Sequence, residues 1–141
     1  MLGNGHNRTE LQKIAEGKLE DACLLLQHHR YSNSYYLAGY AVEIGLKACI
    51  AAQVTRETVP GKTFLQKFFS HDFDALIGLA GLASEKKRQL KSPNFQANWA
   101  IVSEWTPDTR YEAMDVTSAQ TMIQAITIPE FGVMQWIKQH W

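Results

Sequence analysis

The chain has 141 residues, 45% of them apolar, and its 14 basic and 14 acidic side chains cancel to a net charge of zero. This length and composition predict a single globular domain over residues 1–141, with enough apolar side chains for one core. The balanced charge provides no overall field to attract nucleic acid or an anionic membrane, so only a local basic patch is left for such a role.

Neither the N-terminal segment nor the longest apolar stretch suggests a signal peptide or a membrane span. The segment MLGNGHNRTELQKIAEG lacks an apolar run before a cleavage-like site, and the longest apolar stretch, residues 35–52, is interrupted by Glu43 and Lys47. We therefore predict a cytoplasmic protein without a membrane span. Cys23 and Cys49 form no CxxC pair, so we expect core thiols rather than a zinc site or a disulfide.

The first helix is predicted from Thr9 to about His29, because apolar residues recur there every three or four positions. Thr9 is the expected N-cap, with Gln12 as its capping-box partner. His28 and His29 are adjacent, but neighbouring side chains on a helix point about 100° apart, so the pair does not indicate a metal site.

A second helix is predicted from about Ser32 to Gln53 and contains the stretch YYLAGYAVEIGLKACIAA. It is apolar on nearly every face, which is typical of a helix at the centre of a bundle. An interior glycine costs on the order of 1 kcal/mol of helix propensity, so we expect neighbouring helices or a second subunit to approach closely there. Glu43 and Lys47 are one turn apart in a favourable order, but a buried carboxylate needs a closer partner than an ordinary surface pair.

The next segment, QVTRETVPGKTF, is predicted to be a connection with a turn at Pro60-Gly61. A helix then begins in SHDFDALIGLAGLA, where Ser70 is the expected cap and Asp72 and Asp74 lie in the first turn. A His-Asp pair would also suit a metal-dependent phosphohydrolase, but the other histidines are poorly placed to complete a ligand set. We predict no metal site and no cofactor.

Two further helical regions follow, at about Asn94–Trp105 and at about Thr117–His140, the second interrupted near Pro129. Pro107-Asp108 marks a turn between them. No segment sustains the two-residue alternation of a strand, so the predicted fold is all-α, an antiparallel bundle of four or five helices.

Three segments together resemble the HEPN domain family: YYLAGYAVEIGLKACI, then HDFDALIGLAG, then RYE after a tryptophan-containing helix. The resemblance covers about residues 19–112. It implies a bundle with the long second helix at its core, often dimeric. The roles that it implies are RNA cleavage, toxin activity beside a nucleotidyltransferase-like partner, and non-catalytic binding of RNA or a nucleotide.

The family's ribonucleases carry an arginine followed four to six residues later by histidine, and this chain lacks that motif. No histidine follows Arg110 until His140, and the other arginines also lack one at that spacing. Histidine is the natural proton-transfer group near neutral pH, so we lean against an enzyme.

We expect instead a non-catalytic homodimer that binds a partner protein, a nucleotide or RNA in a groove between its subunits. The alternatives are a HEPN-type ribonuclease or toxin with a replaced acid–base residue, and an interaction subunit beside a nucleotidyltransferase-like protein, as in toxin–antitoxin pairs.

The candidate site is a polar cluster in which Arg110 is the expected bidentate partner of Glu43. Whether this cluster anchors the fold or faces a ligand stays open. The candidate residues are Glu43, Lys47, Arg110 and Tyr111 for the cluster, and Tyr36, Tyr40 and His71 for the groove.

Overall fold

The structure is a computed structural model that describes residues 7–54 and 59–141. Within these ranges the chain is all-helical and has no strand, which confirms the predicted fold class. There are more helices than the four or five expected. They are α1 Arg8–Gln27, α2 Tyr31–Ala51, α3 Lys62–Phe68, α4 Phe73–Leu79, α5 Ala83–Gln89, α6 Pro93–Val102, a 3₁₀ turn Pro107–Tyr111, α7 Val116–Thr127 and α8 Val133–Lys138.

Helix α1 begins one residue earlier than predicted, with a different cap. Asn7 is the N-cap, and its side chain accepts a hydrogen bond from the Glu10 backbone N–H at 2.8 Å. Gln12 is not a capping-box partner of Thr9, because its side-chain amide donates to the carbonyl of Trp141 at 2.7 Å and so ties α1 to the C-terminus.

Helix α2 lies at the centre of the bundle and contacts α1, α4, α7 and α8. Its glycines mark close approaches, as expected, and the neighbours belong to the same chain. A Cβ added at Gly39 would lie 2.2 Å from the Trp105 indole, and one at Gly45 would lie 3.1 Å from Ile137. Absent side chains therefore let Trp105 and helix α8 pack against the α2 backbone.

The segment between α2 and α4 departs from the prediction, because α3 occupies part of the expected connection. Ser70 is not the cap of α4: the Asp72 carboxylate accepts from the Asp74 backbone N–H at 2.9 Å, and Ser70 Oγ accepts from the Asp72 backbone N–H at 3.0 Å. Helix α5 was also not predicted. Its sequence, ASEKKRQ, has no stripe of apolar residues at helical spacing, and none of its residues is buried.

The C-terminal half supplies the aromatic part of the core. Phe73 stacks on Trp105 with ring centroids 5.5 Å apart. The predicted Asn94–Trp105 helix ends at Val102, and Pro129 separates α7 from α8. Cys49 is buried, as predicted for a core thiol, whereas Cys23 is only half-buried.

No helix in the part of the chain that the structure describes is both long enough and apolar enough to cross a membrane.

Candidate functional site

Glu43 is the buried charged group around which the site is built. It lies on α2, is only 1% exposed, and accepts two hydrogen bonds. Lys47 Nζ is 3.3 Å from its Oε2, and His71 Nδ1 is 2.6 Å from its Oε1. The two carboxylate oxygens are thus each bonded to a different nitrogen base, which is the arrangement that burial of a carboxylate requires.

His71 reaches Glu43 from the segment between α3 and α4. Its side chain is about half exposed, so the ring joins the buried carboxylate to the surface. An ionised carboxylate only accepts hydrogen bonds, so Nδ1 carries a hydrogen in this contact. Nε2 then acts as an acceptor in the neutral ring and as a second donor in the imidazolium.

Lys47 is the local partner of Glu43, four residues along the same helix. Its side chain is 12% exposed, and its ammonium lies 5.3 Å from the centre of the Phe68 ring. The Lys47 side chain is thus held between the Glu43 carboxylate and the face of the Phe68 ring.

The expected pairing of Glu43 with Arg110 is wrong. Arg110 belongs to the 3₁₀ turn and is exposed, and its guanidinium lies 4.8 Å from the centre of the Tyr111 ring. Hydrogen bonding to Tyr111, with a smaller contribution from Tyr36, raises the pKa of the Arg110 guanidinium. Tyr36 precedes Glu43 by seven residues, which is about 10 Å along the helix axis. The 3₁₀ turn therefore contacts α2 two helical turns before Glu43, and Arg110 is not placed beside that carboxylate.

The sequence-predicted residues therefore form two clusters at different levels of one helix face. Residues 36, 40, 43 and 47 are four, three and four positions apart, so they share a side of α2. The first cluster contains Tyr36, Arg110 and Tyr111, and the second contains Glu43, Lys47 and His71.

Tyr40 connects the two clusters. Its ring is 5.8 Å from that of Tyr36 and 6.2 Å from that of Trp105. The ammonium of Lys18, on α1, lies 5.2 Å from the centre of the Tyr40 ring. Burial, and then the nearby Glu43 carboxylate, raise the pKa of the Tyr40 hydroxyl. We call this side of α2 the tyrosine face; it consists of Tyr36, Tyr40, Glu43 and Lys47, with Lys18, His71, Arg110 and Tyr111 beside it.

A cleft of about 420 Å³ opens beside the Glu43 cluster, and its walls are mostly apolar. Ile14 on α1 and Phe69 after α3 line it and are 42% and 64% exposed. Sequence reasoning missed Phe68 and Phe69 because their segment begins next to a predicted turn. The spacing of Phe64, Leu65, Phe68 and Phe69 at three and four residues is the signal that indicates a helix there.

In the described ranges, residues 7–54 and 59–141, no group of three or more histidine, cysteine or carboxylate side chains could hold a metal ion. No protein-family model, curated protein sequence or solved structure matches this chain.

Proposed function

We propose that the chain is a HEPN-like, non-catalytic domain that forms a homodimer and binds single-stranded RNA or a nucleotide along the tyrosine face. The proposal rests on the resemblance of the sequence motifs to that family. The observation that supports it best is the exposed pair of Arg110 and Tyr111. This pair lies beside Tyr36, whose ring contacts that of Tyr40.

The exposed pair combines the two contacts that sequence-independent recognition of single strands requires. Tyr111 is 77% exposed and offers a ring on which a base can stack. Arg110 and Lys18 carry charges that suit phosphates. Since the whole chain has no net charge, we expect few phosphate contacts and a shallow dependence of affinity on salt.

A non-catalytic role is supported by the separation of the candidate groups. Arg110 is beside Tyr36, whereas His71 bonds to Glu43, about 10 Å farther along α2. An arginine that stays protonated at neutral pH is a poor base for a ribose hydroxyl. We expect no cleavage when metal-free protein is incubated with mixed RNA. Cleavage by the wild-type protein that is absent both with Arg110→Ala and with a mock purification would establish the ribonuclease alternative instead.

Binding is tested with a fluorescently labelled oligouridine strand and anisotropy at low salt. Tyr111→Ala should weaken binding by about tenfold, since stacking on one base contributes about 1–3 kcal/mol. Arg110→Ala should weaken it by a similar amount. The matched control is Arg88→Ala, which removes an exposed arginine of α5 that pairs with Glu85. Equal affinities for all three variants would refute the proposed surface.

The homodimer needs a different surface from the one first expected, because α2 is covered by its own chain. Two exposed apolar side chains that line the cleft, Ile14 and Phe69, supply it, together with the exposed Leu65 on α3. Phe69→Ser should lower the mass measured by light scattering from dimer to monomer. Leu24→Ser is the matched control, since Leu24 is 53% exposed on α1 and does not line that cleft. A monomeric wild-type protein at micromolar concentration would refute this part.

A partner protein is the second candidate ligand, and the apolar cleft with Phe69 on its rim favours it. If the wild-type chain is monomeric and does not bind RNA, a nucleotidyltransferase-like protein encoded beside it becomes the partner to test by co-purification. Phe69→Ser should then abolish the complex, whereas Leu24→Ser should not.

A further inference from the structure

His71 presents a ring nitrogen at the surface beside the tyrosine face. Its Nδ1 is 2.6 Å from Oε1 of Glu43, a carboxylate that is only 1% exposed, while the His71 side chain itself is about half exposed. Because Nδ1 is taken by the carboxylate, Nε2 at the other edge of the ring is the nitrogen that is left for a ligand. The bond to Glu43 therefore fixes both the orientation of the imidazole and the atom that it offers.

The net charge of the Glu43 cluster depends on the protonation of His71. The Glu43 carboxylate and the Lys47 ammonium, whose Oε2 and Nζ atoms are 3.3 Å apart, cancel each other, so the cluster is neutral while the imidazole is neutral. Protonation leaves one positive charge and changes Nε2 from an acceptor to an N–H donor. An imidazole ordinarily makes this change between about pH 8 and pH 5. A phosphate oxygen is thus a favourable partner for Nε2 on the acidic side of that range only.

The other charged groups around His71 have partners of their own. The ring lines both the cleft beside the Glu43 cluster and a second cleft of about 320 Å³, and the titratable side chains that line these clefts with it are Tyr40, Glu43, Lys47, Asp72 and Asp74. The Asp72 carboxylate accepts from the Asp74 backbone N–H, and the Asp74 carboxylate pairs with Lys86. Burial, and then Glu43, raise the pKa of the Tyr40 hydroxyl, which keeps it uncharged near neutral pH. The described lining residues from α1, from α3 and from residues 99–107 carry no charge.

We propose that His71 is a phosphate-binding residue of the tyrosine face that acts as the imidazolium, so that acidification adds one phosphate contact to the RNA complex. The inference rests on the proposed RNA-binding function and extends the bound strand along α2 from the level of Arg110 to that of His71. These two levels are about 10 Å apart. At alkaline pH the strand keeps its contacts with Arg110 and Lys18 and loses the one with His71.

The test measures the binding of a fluorescently labelled oligouridine strand by anisotropy over a series of salt concentrations, at about pH 5.5 and at about pH 8. Each phosphate contact with a single strand contributes about 0.7 to the slope of log affinity against log salt. For the full wild-type chain we expect the slope to be steeper by about 0.7 at the lower pH. Equal slopes, in a protein whose binding at alkaline pH is weakened by Tyr111→Ala, would overturn the role of His71 and leave the RNA-binding function standing. Absence of binding at both pH values would refute both.

Variants assign the pH dependence to one residue. His71→Asn removes the titrating group and keeps a hydrogen-bond donor for Glu43, because its side-chain amide lies near the position of Nδ1. It should bind as the wild type does at alkaline pH and show the same slope at both pH values, and so should His71→Gln. The matched control is His28→Gln, which removes an exposed histidine at the C-cap of α1 that lines neither cleft, and it should keep the wild-type difference. A steeper slope at low pH in folded His71 variants, or its loss in His28→Gln, would contradict the assignment.

Discussion

Substitution of Gly39 by alanine should destabilise the protein, although alanine is the better helix former. In an open helical position this change gains about 1 kcal/mol of helix propensity. At position 39 the new Cβ would lie 2.2 Å from Cγ and Cδ1 of Trp105, closer than any non-bonded contact allows. The Trp105 ring must move, and it is a buried ring that cannot swing into water.

The cost follows from what holds Trp105 in place. Its indole Nε1 donates to the Tyr36 carbonyl at 3.1 Å, and its ring stacks on Phe73. Overpacking of a core costs about 1–3 kcal/mol, and loss of the hydrogen bond adds about 1 kcal/mol. After the gain in propensity is subtracted, Gly39→Ala should lower the free energy of unfolding by about 1–3 kcal/mol.

The measurement is urea denaturation followed by tryptophan fluorescence and by far-UV circular dichroism. Gly17→Ala is the matched control, because Gly17 is inside α1 and a Cβ there would meet no atom within 4 Å. That variant should gain up to about 1 kcal/mol. In a Trp105→Ala background, Gly39→Ala should no longer be destabilising, since the clash is gone. A Gly39→Ala protein as stable as wild type would refute the reasoning.

Three further expectations concern the charged and thiol groups. Glu43→Gln should lower the free energy of unfolding by about 1.5–3 kcal/mol, because the uncharged amide weakens the hydrogen bonds with Lys47 and His71. Arg110→Ala should leave the urea midpoint unchanged. A double variant that loses the sum of the two single effects would agree with two separate clusters, whereas strong coupling between the two sites would contradict them. Burial raises the pKa of the Cys49 thiol to about 12, so iodoacetamide at mildly alkaline pH should label Cys23 in the native protein and reach Cys49 only after denaturation, as read by peptide mass spectrometry. The backbone N–H bonded to the Asp115 cap lowers the pKa of that carboxyl below its ordinary 3.8, so its stabilising effect is complete above that value and is lost as the pH falls through the lower folded-state value. The melting-temperature difference between wild type and Asp115→Asn should therefore change between neutral pH and pH about 3, and a constant difference would contradict the assignment.

Much of the local structure could be predicted from the sequence. Periodicity located α1, α2, α6 and α7 to within a few residues, because each has apolar side chains at helical spacing. The short helices were harder. Helix α5 has no buried residue and therefore no apolar pattern to indicate it. Helix α3 has apolar residues at helical spacing, but it begins just after Pro60-Gly61 and was assigned to the predicted connection.

The central role of α2 could also be read from its composition, and its glycines correctly indicated a close neighbour. Which residue packs against Gly39 depends on where the later part of the chain lies in the fold. Trp105 is 66 positions after Gly39, and no local rule relates two residues at that separation. The same sequence pattern would have suited a second subunit, and only the packing assigned the contact to the chain itself.

The partner of Glu43 shows the same division. The sequence by itself determined that a carboxylate inside an apolar helix must be paired, because burying an isolated charge is too costly. Lys47 is reachable by helical spacing alone, but no local rule selects the second partner, and from the sequence we predicted Arg110 for that bond and placed His71 in the groove. The tertiary structure makes His71 the second partner of Glu43, because the segment between α3 and α4 passes beside that carboxylate. The 3₁₀ turn that carries Arg110 contacts α2 at Tyr36, two helical turns away.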